Sequence, residues 1–268
     1  MEATLPESPE SPILKDKARV SEIFGPTLQG EGQMIGMQTY FVRFAGCDYR
    51  CTKCDSLHAV LPDLIKKSGA RMMSSQAIYA ELTGLDKSHS KCKTVTFSGG
   101  NPCMWDLTSL VLKLHGAGWK IAVETQGTLY HDWLKACDYV TISPKGPGMG
   151  EKFERFVFTQ FIERLGWPFL PRNICIKVVI FGQEDIEFAK MLERDFGFGE
   201  QMYLSLGNPY PPGIKLRMST LAGDATLPEM LLSHMRVLWE DIVKEPLLMN
   251  AKFLPQLHVL LWGNKQGV

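Results

Sequence analysis

Three cysteines, Cys47, Cys51 and Cys54, stand in one short segment with the spacing C-x3-C-x2-C. Thiolates so close together can surround a single metal centre, because sulfur is a preferred ligand of zinc and of iron–sulfur clusters. Incidental buried thiols are one interpretation. A structural zinc site with His58 as fourth ligand is a second, although such sites usually draw on two separated ligand pairs. The third is a [4Fe–4S] cluster on three cysteines, which leaves one iron open to bind and reduce a small molecule.

Short β-rich runs alternate with helical patterns along the chain and must supply the scaffold for these cysteines. The predicted strands are Thr39–Phe44, Thr94–Phe97, Lys120–Glu124, Tyr139–Ile142, Ile174–Phe181 and Met202–Leu206. Apolar residues between them recur at helical spacing, and a longer helix is predicted over Leu227–Lys244. This alternation predicts an α/β fold, a parallel sheet flanked by helices that is either open or bent into a partial barrel.

The chemically distinctive residues follow directly after these strands. The cysteine segment follows the first strand, and the turn Ser98–Pro102 (Ser-Gly-Gly-Asn-Pro) follows the second. Glu124 ends the third strand, and Ser143-Pro144-Lys145 follows the fourth. Taken singly, each is also typical of an ordinary turn or strand end. In parallel α/β folds, however, ligands bind at the carboxyl ends of the strands, so the shared position predicts one site.

Composition limits the class of protein. The chain has 268 residues, of which 45% are hydrophobic, and carries 29 basic and 29 acidic side chains. We expect one catalytic domain over residues 18–268, preceded by a flexible Pro- and Glu-containing extension over residues 1–17. Zero net charge argues against sequence-independent nucleic-acid binding, and no apolar run is long enough for a membrane span. Seven cysteines do not make a disulfide scaffold, so a reduced, cytoplasmic protein is expected.

The cysteine motif, placed after the first predicted strand, resembles the signature of radical S-adenosylmethionine (SAM) enzymes. The resemblance implies a partial (β/α)6-type barrel in which Cys47, Cys51 and Cys54 hold a [4Fe–4S] cluster. In that family the open iron chelates SAM, and reduction yields a 5′-deoxyadenosyl radical, so no side chain is assigned as acid or base. Asn101 stands where the family usually has Glu. The resemblance assigns SAM binding to Lys53, Cys54, Asp55, Gly100, Glu124, Ser143, Pro144 and Lys145.

Further segments resemble one branch of this family, from Val20 to the end of the chain. They include Ile23–Gly32, a glycine-punctuated stretch that we interpret as a binding loop, together with Phe41–Cys47 and Leu254–Lys265. That branch contracts 6-carboxy-5,6,7,8-tetrahydropterin to a carboxylated deazaguanine with loss of ammonia, in queuosine and deazapurine biosynthesis. By this resemblance the substrate is bound by Leu28, Gln29, Gly30, Arg43, Ser98 and His258. Arg43 is expected to take the substrate carboxylate with its planar fork.

The same resemblance implies Mg2+, held partly by the Ser56 hydroxyl where the branch usually has Thr, and Gln256 near the substrate. It also implies an electron donor such as flavodoxin and a homodimer. His258 has the alternative of a packed strand-end histidine, and the remaining cysteines are interpreted as core or incidental thiols. Two rival hypotheses are a glycyl-radical-enzyme activase, which shares the cysteine motif, and a non-catalytic zinc-stabilised binding module.

Overall fold

The computed structural model describes residues 16–89, 92–210, 219–220, 223–224, 226–265 and 267. Its strands are β1 (Lys17–Leu28), β2 (Gln38–Phe44), β3 (Arg71–Ser74), β4 (Thr94–Gly99), β5 (Lys120–Thr125), β6 (Tyr139–Ile142), β7 (Ile174–Ile180), β8 (Met202–Leu206), β9 (Ser219–Thr220), β10 (Gly223–Asp224) and β11 (Lys252–Leu254). Its α-helices are α1 (Pro62–Lys67), α2 (Ser75–His89), α3 (Thr108–Gly116), α4 (Arg155–Arg164), α5 (Gln183–Phe196), α6 (Leu227–Ile242) and α7 (Leu257–Trp262).

One nine-stranded sheet organises the molecule, in the order β11-β8-β7-β6-β5-β4-β2-β1-β3. The six predicted strands are β2 and β4 to β8, which pair in parallel with one another. The sheet does not close on itself, since β11 and β3 lie at opposite ends of the order. The predicted α/β fold with an open, partial barrel is therefore confirmed.

Strand β1 corrects the first part of the predicted binding loop, since Ile23–Leu28 belong to the strand and only Gln29–Glu31 follow it as a loop. It pairs antiparallel with both β2 and β3, which makes the sheet mixed rather than purely parallel. The pairing with β2 shifts register between Val20 and Glu22 and again between Phe24 and Thr27. These irregularities break the two-residue alternation by which a strand is recognised in sequence. The strand begins at Lys17, the last residue of the predicted extension, of which residues 1–15 lie outside the described range.

The two faces of the sheet differ in chemistry. The side chains that pack under the helices are apolar, with Val42 and Phe44 on β2 and Val95 and Phe97 on β4 all buried in the core. The alternating positions of the same strands face the concave side. At these positions of the parallel strands six buried side chains are polar, although Phe41, Ala122 and Cys175 on the same face are not: Thr39, Thr96, Ser98, Thr141, Lys177 and Ser205. Because burying a polar group is costly unless it is hydrogen-bonded, these buried polar side chains indicate a binding site rather than a second core.

Within the part of the chain that the structure describes, no helix is both long and apolar enough to cross a membrane. The seven cysteines all lie among the described residues, and none of them forms a disulfide there. Cys103, Cys137 and Cys175 are buried and Cys92 is half-buried, consistent with the prediction that these four are core or incidental thiols.

Candidate active site

The cysteine loop leaves the carboxyl end of β2 and carries three half-buried thiols, Cys47, Cys51 and Cys54. Burial raises the pKa of Cys51 to about 12 and that of Cys54 to about 11, and the neighbouring Cys47 adds to both shifts. Such thiols stay protonated until a metal supplies positive charge. The donor set fits an iron–sulfur cluster, which Cys47, Cys51 and Cys54 would hold.

A zinc site fits less well. Among the described residues, no three His, Cys, Asp or Glu side chains converge in the way that a single metal ion requires. His58, the candidate fourth zinc ligand, instead places Nε2 3.3 Å from Oε1 of Glu22 on β1. The structure thus pairs His58 with a carboxylate and argues against the structural zinc site.

A network that the sequence did not predict fixes the cysteine loop to the neighbouring strand ends. The Asp48 Oδ1 accepts from Asn101 Nδ2 at 2.9 Å and from Gln126 Nε2, while Asp48 Oδ2 accepts from the Thr128 hydroxyl. Asn101 Oδ1 in turn accepts from the Thr125 hydroxyl at 2.9 Å. Asn101, which stands where Glu is usual, therefore has a positioning role here.

The glycine turn after β4 lies directly on the cysteine loop. Gly100 N donates to Phe44 O at 3.0 Å, and a Cβ added at Gly100 would come within 2.1 Å of Gly46 O. Gly99 adopts a φ of +140° and approaches the backbone of Phe44 as closely. Only glycine permits these contacts, which bring the turn and the cysteine loop to the same edge.

The other predicted SAM residues occupy the same edge of the sheet. Ser143 and Pro144 are buried after β6, and the Lys145 Nζ donates to Ser143 Oγ at 2.7 Å. Burial and the nearby Lys177 lower the pKa of Lys145. On the cysteine loop itself, Lys53 and Asp55 are exposed, and the Lys53 ammonium lies 4.3 Å from the ring centre of Phe181.

A buried charged cluster fills the concave face beside this edge. Lys177, on β7, lies 2.8 Å from Glu31 Oε2 and 3.7 Å from Glu124 Oε1. Burial opposes ionisation of Glu31, but Lys177 and His258 outweigh it and lower the Glu31 pKa to about 2. The two carboxylates likewise raise the pKa of Lys177 despite its burial. Glu31 also accepts hydrogen bonds from Ser205 at 2.9 Å and from Gln256 at 3.1 Å.

Three of the predicted substrate residues, Gln29, Ser98 and His258, lie around this cluster, whereas Arg43 lies elsewhere, beside Glu22 and Ser56. Glu124 accepts from Ser98 Oγ at 3.0 Å and from Gln29 Nε2 at 3.4 Å. Glu124, predicted to bind SAM, is thus in direct contact with two residues predicted to bind substrate. Leu28 ends β1 immediately before Gln29 and is half-buried.

His258 lies against the backbone of Gly30. A Cβ at Gly30 would come within 2.0 Å of His258 Nδ1, and Leu257 N donates to Gly30 O at 3.0 Å. The alternative of a strand-end histidine is wrong in its placement, because His258 is the second residue of helix α7. The apolar spacing of this short terminal segment did not distinguish a helix of six residues from a strand.

A polar chain joins the cysteine loop to β1. Arg43 donates from Nε to Glu22 Oε1 at 2.6 Å and from a terminal nitrogen to Ser56 Oγ at 3.3 Å. Ser56 Oγ also lies 2.8 Å from Asp55 Oδ1. Burial raises the pKa of Glu22, but His58 and Arg43 outweigh burial and lower it. Arg43 and Ser56, which were assigned to the substrate carboxylate and to Mg2+, are thus neighbours.

Sequence reasoning missed Lys177, Asp48 and Gln126. A signal existed for Lys177, because it is the one charged residue in the aliphatic strand Ile-Cys-Ile-Lys-Val-Val-Ile. A charge inside such a strand is costly unless paired, and so indicates a buried partner. Asp48 and Gln126 gave no such signal, because their contact joins two strand ends 78 residues apart.

Comparison with known proteins agrees with this architecture. Residues 41–148 match the model of the radical SAM superfamily. The 7-carboxy-7-deazaguanine synthase of Bacillus subtilis strain 168 is 40% identical over 252 residues, which cover 93% of this chain and 98% of that protein. That of Bacillus cereus is 39% identical over 257 residues, covering 94% and 99% respectively. A crystal structure of QueE from Escherichia coli superposes with a TM-score of 0.62 at 24% identity, covering 90% of this chain and 95% of that one, and shows a shared fold.

The open barrel with three cysteines after its first parallel strand defines a protein of the radical SAM class. Such a protein works with a [4Fe–4S] cluster and SAM. At 40% identity over nearly its whole length, the chain belongs to the 7-carboxy-7-deazaguanine synthase family.

Proposed function

We propose that this chain catalyses the ring contraction of 6-carboxy-5,6,7,8-tetrahydropterin to 7-carboxy-7-deazaguanine, with release of ammonia, in queuosine biosynthesis. The observation that carries the proposal is the buried polar cluster of the concave face, which adjoins the cysteine loop at one edge of the sheet. A pterin carries amide, amine and carboxylate groups on a flat ring, and a group of carboxylates, amides and one guanidinium complements them.

Cys47, Cys51 and Cys54 would hold the [4Fe–4S] cluster, which supplies the electron for reductive cleavage of SAM. Ser143, Pro144, Lys145, Gly100 and the exposed Lys53 and Asp55 would bind SAM at the same edge. The support for this division is geometric: the glycine turn touches the cysteine loop, and Ser143–Lys145 follow the strand beside β5.

The substrate would lie deeper, between Gln29, Ser98 and His258. Gln29 is buried and offers both an amide donor and an amide acceptor to the ring. Lys177 holds Glu31 and Glu124 in place, so Glu31 presents a fixed acceptor to the amino groups of the ring. Glu124 would bind SAM while it contacts Ser98 and Gln29 of the substrate side. Arg43 would take the substrate carboxylate, because a planar guanidinium binds a carboxylate through two parallel hydrogen bonds.

Mg2+ would bind at Ser56, beside the substrate carboxylate. The Ser56 hydroxyl and the Asp55 carboxylate are hard oxygen donors 2.8 Å apart, and Mg2+ commonly completes its shell with waters and substrate anions. Next to Arg43, such an ion would share the substrate carboxylate and fix its orientation. We further propose a cytoplasmic enzyme that works as a homodimer and receives electrons from a donor such as flavodoxin.

Anaerobic turnover tests the proposal. The reconstituted chain, given SAM, Mg2+, a strong reductant and the carboxylated tetrahydropterin, should release 7-carboxy-7-deazaguanine and ammonia in equal amounts. Reductive cleavage of SAM without deazaguanine would overturn the substrate assignment and favour a radical SAM activity on another molecule, such as a glycyl-radical protein. A colourless chain that holds one zinc and no iron would favour a binding module.

A further inference from the structure

Gln126 follows the carboxyl end of β5 and directs its side chain at a cluster cysteine. Its Nε2 lies 3.3 Å from Cys47 Sγ and 2.5 Å from Asp48 Oδ1, and the residue is 5% exposed. One amide nitrogen carries two hydrogens, so both contacts can be satisfied at once. Because a carboxylate oxygen only accepts hydrogen bonds, Asp48 requires the nitrogen rather than the oxygen of the amide to face it.

Asp48 is itself held by residues of two strand ends. Asn101, which is fully buried, donates to Asp48 Oδ1 at 2.9 Å, and Thr128 donates to Asp48 Oδ2. Asn101 Oδ1 is occupied by Cys103 N at 3.1 Å and by the Thr125 hydroxyl. The carboxylate therefore cannot swing away from Gln126 without breaking several bonds, and the amide keeps its hydrogen directed at the sulfur.

We propose that Gln126 is a positioning residue that raises the reduction potential of the cluster by donating a hydrogen bond to Cys47 Sγ, with Asp48 fixing the amide. The inference rests on the proposed function, because it requires the cluster. Hydrogen bonds to cysteine sulfur tune such potentials, and they stabilise the reduced cluster more because it carries one more negative charge. Tyr49 N also approaches Cys47 Sγ, at 3.4 Å, but that donor is backbone. Gln126 is the side-chain donor that substitution can remove.

The test is an anaerobic redox titration of the reconstituted chain without SAM, followed by the spectrum of the reduced cluster. Gln126→Met keeps the length of the side chain and removes the donor. We expect an unchanged iron content and a more negative midpoint potential. A loss of about tenfold in the equilibrium constant for reduction corresponds to about 59 mV for one electron. The matched control is Gln201→Met, which removes an amide that donates to Pro171 O and Ile174 O at the opposite ends of the strands. It should keep the wild-type potential.

A Gln126→Met chain with a full cluster and the wild-type potential would overturn the inference and leave the proposed function intact. If this variant does not retain the cluster, Gln126→Asn repeats the titration, since it keeps a polar side chain but withdraws the donor by one methylene. Loss of the cluster in both variants would also overturn the inference, because it would make Gln126 a structural residue. A wild-type chain that holds no cluster would instead contradict the proposed function.

Discussion

The Arg43 side chain links Glu22 on β1 to Ser56 on the cysteine loop. Its guanidinium contacts both Glu22 and Ser56, so its plane is fixed before any ligand arrives. Fixing a charged, planar donor in advance lowers the entropic cost of orienting a carboxylate.

Arg43→Lys should weaken binding of the carboxylated pterin by about 1–3 kcal/mol, because it keeps the charge and loses the fork. Calorimetry or the KM for the pterin measures this. Reductive cleavage of SAM without substrate should continue at the wild-type rate. Arg155→Lys, at an exposed ion pair with Asp195, is the matched control and should change neither quantity. Equal loss of pterin binding and SAM cleavage would place Arg43 in the cofactor site or in the fold.

Ser56→Ala should lower turnover and raise the Mg2+ concentration needed for half-maximal rate. Misplacing a substrate by about 1 Å can cost on the order of 100-fold in rate. Ser56→Thr keeps the hydroxyl and should retain the Mg2+ dependence. The cluster spectrum should be unchanged in both variants. An alanine variant with the wild-type Mg2+ response would show that Ser56 is an ordinary loop serine.

Lys177→Met should destabilise the fold by about 3–5 kcal/mol, because it leaves Glu31 buried without its cation. The folded Glu31 pKa is lowered from 4.5 to about 2, so its contribution to stability is fully present above pH 4.5 and is lost as the pH falls towards 2. Urea denaturation across this range should show a weaker pH dependence in Lys177→Met. Lys244→Met removes a lysine from an exposed pair with Asp241 and should cost less than about 1 kcal/mol. Similar costs for the two variants would contradict the buried cluster.

Residues that belong to a linear motif were predictable from the sequence. The three cysteines, the glycine turn and Ser143–Lys145 each follow a strand, and the structure places them at one edge. Asp48 and Gln126 were not predictable, because their importance lies in a contact between distant segments. Asn101 illustrates the difference: the sequence showed a departure from the usual Glu, and only the structure shows what its amide binds.

At the scale of elements, the parallel strands were predictable because continuous β-branched runs mark buried strands. Strand β1 was not, because its two register shifts hide the alternation. The end of β1 places the next residues, Gln29, Gly30 and Glu31, at the concave face. There Leu257 N of α7 donates a hydrogen bond to the Gly30 carbonyl. The substrate side of the site thus depends on the first strand and the last helix meeting.

Gly30→Ala should destabilise the fold by about 1–3 kcal/mol, because the new methyl group meets the ring and backbone of His258. It should also raise the KM for the pterin, since α7 must move. Gly84→Ala is the matched control: Gly84 lies in α2 with open space at its Cβ, and alanine there should stabilise by about 0.5–1 kcal/mol. Thermal unfolding of both variants measures the difference. Stabilisation by both substitutions would contradict the close approach of β1 and α7.

At the scale of the whole molecule, an open sheet brings an apolar convex face and a polar concave face into one chain. The helices cover the convex face, and the charged cluster of Glu31, Lys177 and Glu124 occupies the concave face. Composition indicated a globular chain with enough apolar residues for one core, but it contained no information about which face the polar residues take. Only the pairing and register of the strands show which side chains lie on each face.

The central claim is that Cys47, Cys51 and Cys54 hold a cluster that starts radical chemistry on a substrate bound at the concave face. Iron content and 7-carboxy-7-deazaguanine formation, measured in the same anaerobic reaction for three chains, test it most directly. The wild type and Cys92→Ala should load the cluster and form product, whereas Cys51→Ala should do neither. Product formed by Cys51→Ala, or equal loss in Cys92→Ala, would contradict the ligand set. A wild-type chain with a full cluster and no product would contradict the account of the substrate.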